Sequence, residues 1–142
     1  MDKETKERIK NKELVKKYPF LAIKPWGEEE IEYDTTWYDS IPEGWWKAFG
    51  EQMCDELLEI LKEGNCVGAY SIIEIKEKWG SLRWFGGFGF NEVSKSVWNK
   101  YDEWLDKYEE LSEKTCIRCG KPATHFTRGW IVPVCSSCDD EK

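Results

Sequence analysis

Residues 74–90 read EIKEKWGSLRWFGGFGF, and how they are read decides the fold. Three basic residues, four glycines and five aromatic rings fall within one short stretch of an acidic chain. The residues leading into it, VGAYSIIEIKEKW (67–79), are β-branched and alternating, and SLRWFGGF resumes after Gly80. The stretch therefore predicts two antiparallel strands joined at Trp79 and Gly80. Strict alternation puts Leu82 and Trp84 on one face and Arg83 and Phe85 on the other, while Ile73, Ile75 and Glu77 oppose Ile72, Glu74, Lys76 and Lys78. Such a hairpin has two uses. As scaffold, it buries an apolar face and lays its basic stems over Trp79 and Trp84. As a site, it offers Trp79, Trp84 or Phe85 to stack on a flat ring and Lys76, Lys78 or Arg83 to meet an anionic group, with glycines allowing close backbone approach. The base of the hairpin reads as scaffold and the tip as the candidate ligand site.

Working outward, residues 45–63 place Trp46, Phe49, Met53, Leu57, Ile60 and Leu61 at helical spacing, with Gly64 where a left-handed cap is wanted. Residues 94–113 carry Val97, Tyr101, Trp104, Tyr108 and Leu111 in steps of four and three, a one-faced amphipathic helix. Residues 3–17 form a charge-laced helix with few apolar members, expected to be a weakly docked arm that stops before Pro19. Residues 18–44, with three prolines and the acidic run Glu28 to Glu30, show no sustained period and predict an irregular segment anchored by Phe20, Trp26, Tyr33, Trp37 and Tyr38.

The C-terminal stretch TCIRCGKPATHFTRGWIVPVCSSC holds Cys116 and Cys119, then fifteen intervening residues, then Cys135 and Cys138. Two CxxC knuckles at this separation turn four thiolates inward as tetrahedral zinc requires. The alternatives are an iron centre, two disulfides or a dithiol redox pair; the last two fit poorly without a secretory signal or a thioredoxin-like pattern. Four thiolates leave no open coordination position, so the expected metal is a structural Zn2+. His125, the one histidine, reads as a polar strand residue, and Cys54 and Cys66 as ordinary buried thiols.

The fold class expected is thus α+β: a small hairpin packed on two amphipathic helices, with a C-terminal zinc ribbon. The divisions are 1–43, a charged helical arm and irregular segment; 44–113, the α+β core; and 114–142, the ribbon with an acidic tail. In 142 residues, 40% hydrophobic and 15% aromatic, there is material for one core. Charge is uneven: residues 21–65 hold twelve acidic and three basic side chains, whereas 66–90 hold two and three. A net charge of −7 opposes binding to long nucleic acids, which draws on clustered cations. A weaker nucleic-acid reading rests on Arg118, Lys121 and Arg128 of the ribbon. No membrane span or secretory signal is legible, and the expected location is the cytoplasm. A single histidine, no dinucleotide loop and no GKS or GKT sequence argue against an enzyme.

Taken in order, GWW, EKWGSLRW, TCIRCGKPA and RGWIVPVC resemble the pattern of a widespread group of small uncharacterised phage and prophage proteins. The matching positions are Gly44, Trp45, Glu77, Lys78, Trp79, Gly80, Leu82, Arg83, Cys116, Cys119, Gly120, Gly129, Trp130 and Cys135. Members of that group often carry His where this chain has Cys138. The resemblance spans residues 44–138 and implies a phage accessory protein acting in the host cytoplasm. On that basis the expected function is non-enzymatic: countering host defence by sequestering a small anionic ligand, best taken as a nucleotide-type signal. The alternative is a protein that inhibits or adapts a host defence, transcription or replication protein.

Overall fold

The computed structural model describes residues 2–23 and 33–139. Its helices are α1 (Lys3–Lys17), α2 (Glu43–Trp45), α3 (Glu51–Glu63) and α4 (Lys95–Glu113), and its strands β1 (Ser71–Lys78), β2 (Ser81–Gly87), β3 (His125–Phe126) and β4 (Pro133–Val134). The α+β expectation holds, with a two-stranded antiparallel hairpin, helices packed on it and a C-terminal module of two short strands compatible with a zinc ribbon. Trp26, Glu28 to Glu30 and Glu32 lie outside the described residues.

α4 docks the face its spacing predicts: Val97, Tyr101, Trp104 and Tyr108 are buried. At the fifth position Ser112, not Leu111, is fully buried, because its hydroxyl accepts the Leu82 N–H (2.8 Å) and donates to the Glu109 carbonyl (2.6 Å). α2 widens into a π-helical stretch (Trp46–Gly50) before α3, and α3 presents Met53, Cys54, Leu57 and Leu61 to the core. At its end Gly64 is not left-handed (φ −84°); Asn65 takes that conformation (φ 51°). Gly64 is there for packing, since a Cβ would stand 2.4 Å from Val97 Cγ2.

The helices are also tied by charge. Glu56 accepts from Lys107 Nζ (2.7 Å) and Tyr108 OH (2.6 Å). Partial burial pushes its carboxyl pKa up, but these hydrogen bonds outweigh it and hold it below the usual range. A carboxyl whose pKa is lowered by folding adds stability that is fully present above its unfolded pKa and is lost as pH falls through its folded pKa. Glu56→Gln should therefore flatten the acid limb of a melting-temperature against pH curve while leaving stability nearly unchanged at pH values below the lowered folded pKa.

One expectation fails on the hairpin. Alternation grouped Ile73 with Ile75, but a bulge between Ile72 and Glu74 inserts one residue, so Ile72 and Ile75 are buried and Ile73 is exposed. The N-terminal helix is the weakly docked arm expected: within α1 only Asn11 and Val15 are buried, the Asn11 amide donating to the Tyr33 carbonyl (2.7 Å). The segment after it is anchored by Phe20 as expected, together with Tyr18 and Leu21, through a 3-10 turn (Pro19–Leu21). Tyr38 packs edge-on against Trp46, and Trp37 packs against the core.

Candidate metal centre and aromatic groove

The sulfurs of Cys116, Cys119, Cys135 and Cys138 all lie within 4.8 Å of one another, and Cys119 and Cys135 stand 3.6 Å apart. Disulfide sulfurs would be about 2.05 Å apart; two thiolates each about 2.3 Å from a tetrahedral ion lie roughly 3.8 Å apart. The donor set therefore fits a four-coordinate metal ion. Local backbone explains the convergence. Gly120, left-handed at φ 85°, closes the first knuckle, its N–H meeting the Cys116 carbonyl (3.0 Å), and the Cys138 N–H meets the Cys135 carbonyl (3.1 Å) in the second. Arg118 donates to the Cys138 carbonyl (2.7 Å), joining the two knuckles.

The electrostatics suit a cation. Burial opposes ionisation of Cys116, but backbone N–H groups of Cys135, Cys119 and Arg118 directed at its sulfur outweigh that and bring its pKa down to about 6. Cys138 is pushed up to about 12, above all by its contacts with the sulfurs of Cys135 and Cys119. A thiol that resists ionising because its neighbours carry the negative charge is one that a dication between them would release. His125 stands apart from this cluster: its ring nitrogens face the Thr124 hydroxyl (2.7 Å) and the Asp139 carboxylate. Cys54 and Cys66 are buried as expected, and burial pushes both thiols up.

The ribbon meets the rest of the chain at two places. Gly44 and Trp45 face the first knuckle: Gly44 N–H donates to the Ile117 carbonyl (2.9 Å) and the Trp45 indole to the Thr115 carbonyl (3.0 Å). The hairpin turn faces the loop before β4. Glu77 accepts the Gly80 N–H on Oε2 (2.9 Å) and the Trp130 indole N–H on Oε1 (2.8 Å), and a Cβ on Gly80 would approach Phe126 to 2.8 Å. The ribbon is thus held only in part by α4. α4 leads into it, with Thr115 Oγ1 donating to the Leu111 carbonyl (2.8 Å), but Gly44, Trp45 and the hairpin tip supply the cross-chain contacts.

Between turn and loop lies an open groove of about 400 Å³, lined by Glu77, Lys78, Trp79, Gly129, Trp130 and Ile131. Trp79 is 70% exposed and Trp130 78% exposed. Of the six residues read as ligand-binding, the structure brings Lys78 and Trp79 here, sets Arg83, Trp84 and Phe85 together at another depression, and leaves Lys76 outside this groove. Trp84 is a correction: it is buried in the core, its indole donating to Tyr70 OH (2.8 Å) and its ring set edge-on to Trp104, which leaves 6% of it exposed. Arg83 pairs with Glu109 of α4 (3.2 Å), Lys76 pairs with Glu74 (3.1 Å), and Phe85 borders a separate depression between β2 and α4. Trp130, Ile131 and Glu77 were missed as site residues. The glycine of RGW, left-handed at φ 68°, is a turn signal that sets Trp130 on a loop between the knuckles, where a large ring has no strand to bury it.

No family model, curated protein or solved structure matches the chain. No helix among the described residues is long and apolar enough to cross a membrane.

Proposed function

We propose that the protein is a non-catalytic binding module, stapled by structural zinc, that clasps a flat-ring anionic ligand of nucleotide type between Trp79 and Trp130. One observation carries the reading. Trp79 holds a left-handed backbone (φ 55°) while its ring is largely exposed. Glycine or asparagine satisfies such a turn at less cost, and a ring 70% exposed recovers little of that cost by burial, which supports a role for it outside the chain. Trp130 faces the same groove with its N–H already committed to Glu77, leaving its π-face for stacking. Lys78, exposed on the rim, supplies a cation for a phosphate. Two stacks of about 1–3 kcal/mol and one charge-assisted contact of about 1.5–3 kcal/mol suffice for an affinity in roughly the millimolar to micromolar range.

In the phage setting that the resemblance suggests, such a module would sequester a defence signal. The decisive measurement is calorimetric titration of the metal-loaded protein with a panel of linear and cyclic nucleotides and ADP-ribose. Trp79→Asn serves as the control. Asparagine relieves the turn, so this variant should melt at the same or a higher temperature, with about 1 kcal/mol gained. It should lose at least about tenfold in affinity. If no nucleotide binds the parent protein, the ligand reading falls. A second reading is supported by Phe126 and Ile131, both partly exposed beside the turn, which extend the apolar surface into one suited to a host protein. The zinc assignment is tested by elemental analysis, where about one equivalent is expected and less than half an equivalent overturns it.

A further inference from the structure

We infer that Glu77 is a positioning residue that couples the metal module to the hairpin turn, so that metal loading sets the shape of the groove. The coupling is carried by geometry, and its functional meaning rests on the groove being the binding site. The two walls come from different modules. Trp79 belongs to a hairpin fixed by its pairing with β2 and by Leu82 and Trp84 in the main core. Gly129, Trp130 and Ile131 belong to the ribbon, whose own buried apolar cluster is Cys116, Val132, Val134 and Cys135. So small a cluster depends on bound metal for its order.

Glu77 spans the seam, one carboxylate oxygen on the turn at Gly80 and the other on the Trp130 indole. The ribbon reinforces this placement from its own side. Thr127 Oγ1 donates to the Trp130 carbonyl (2.5 Å) and accepts the Val132 N–H (3.0 Å), so the loop bearing Trp130 is tied to the residues beside β4. Removing the metal releases that loop, removes one wall of the groove and leaves Glu77 holding only the turn.

The experiment needs no ligand. The full chain is labelled with 5-fluorotryptophan, loaded with zinc and observed by ¹⁹F NMR, with the Trp79 and Trp130 signals assigned by replacing each with Phe. In Glu77→Ala, both signals should move while about one equivalent of metal is retained and the core signals of Trp84 and Trp104 stay. The Gly80 amide should exchange about ten- to a hundredfold faster, the loss of one charge-assisted hydrogen bond. Trp130→Phe keeps an aromatic ring at the position while losing the N–H donor and part of the indole's area, and it should shift the Trp79 signal even where Glu77→Ala proves too unstable to purify. Chelation should move the Trp130 and Trp79 signals together. A Trp79 signal indifferent to Trp130→Phe and to chelation overturns the coupling, whether or not nucleotides bind. Conversely, failure of every nucleotide to bind leaves these shifts untouched and overturns only the ligand reading.

Discussion

Cys116→Ser is expected to purify without metal and with the residues beyond Thr115 unfolded, while the hairpin and helices remain. The ribbon's apolar cluster is four side chains, two of them from the cysteine set that could hold a metal ion, and its strands are two residues each. Ordering each of its residues costs about 1–2 kcal/mol of backbone entropy, which burial on this scale does not offset. Structural zinc contributes about 10–16 kcal/mol of apparent binding free energy, and in such a module that is folding free energy. Cys116 is the most damaging of the four to replace. It is fully buried, the backbone donors converge on it, and serine offers an oxygen that stays protonated where the thiolate would be charged. Hydrogen exchange read against elemental analysis checks this: the amides of Val132 and Val134 should lose protection together with the metal, while those of Leu57 and Tyr101 keep theirs. Protected ribbon amides in a metal-free variant would show that the module folds on its own contacts.

Trp45→Ala should be the costliest single change in the core, about 3–5 kcal/mol for the lost side chain. Up to about 1–3 kcal/mol more follows from leaving the Thr115 carbonyl without its donor. Trp45 is wholly buried where the main core meets the first knuckle, so its loss loosens both. Trp45→Phe isolates the hydrogen bond from most of the volume and should cost less. Gly44→Ala probes the same seam by steric means: its Cβ would sit 2.3 Å from the Cys116 carbonyl oxygen and 2.5 Å from that of Ile117, both backbone atoms that cannot swing aside. Urea denaturation of the metal-loaded protein measures all three, as a lower midpoint at unchanged slope. A loss below about 1 kcal/mol for Trp45→Ala would mean that the knuckle does not lean on this ring.

These results give the resemblance motifs a physical content. Gly44 and Trp45 meet the first knuckle, Glu77 and Gly80 meet the Trp130 loop, and Leu82 packs in the main core beneath α4. Spaced far apart in the chain, most of these positions describe one arrangement: a metal module held to a hairpin and helix at two points. Trp79 differs in that its ring is 70% exposed, on the groove beside the seam.

The sequence by itself determined what local chemistry controls. Helical spacing located α3 and α4, since a buried stripe needs apolar residues every three or four positions. Trp79 and Gly80 marked the turn, and two CxxC pairs defined a metal-binding set, because ligand chemistry fixes residue type and spacing without reference to the rest of the fold. Whether a given side chain is scaffold or surface was decided only in the tertiary structure. Trp79 and Trp84 look alike in sequence, yet one is strained and exposed while the other is sealed under Tyr70 and Trp104. Arg83 looked available until Glu109, brought alongside by α4, paired with it. The bulge at Ile73 shifted the strand's facing by one residue, and Trp130 reached the groove because a distant carboxylate, Glu77, received its indole N–H. Each of these outcomes depends on a partner far away in the chain, and pairing across such distances is settled by packing, which no local pattern encodes.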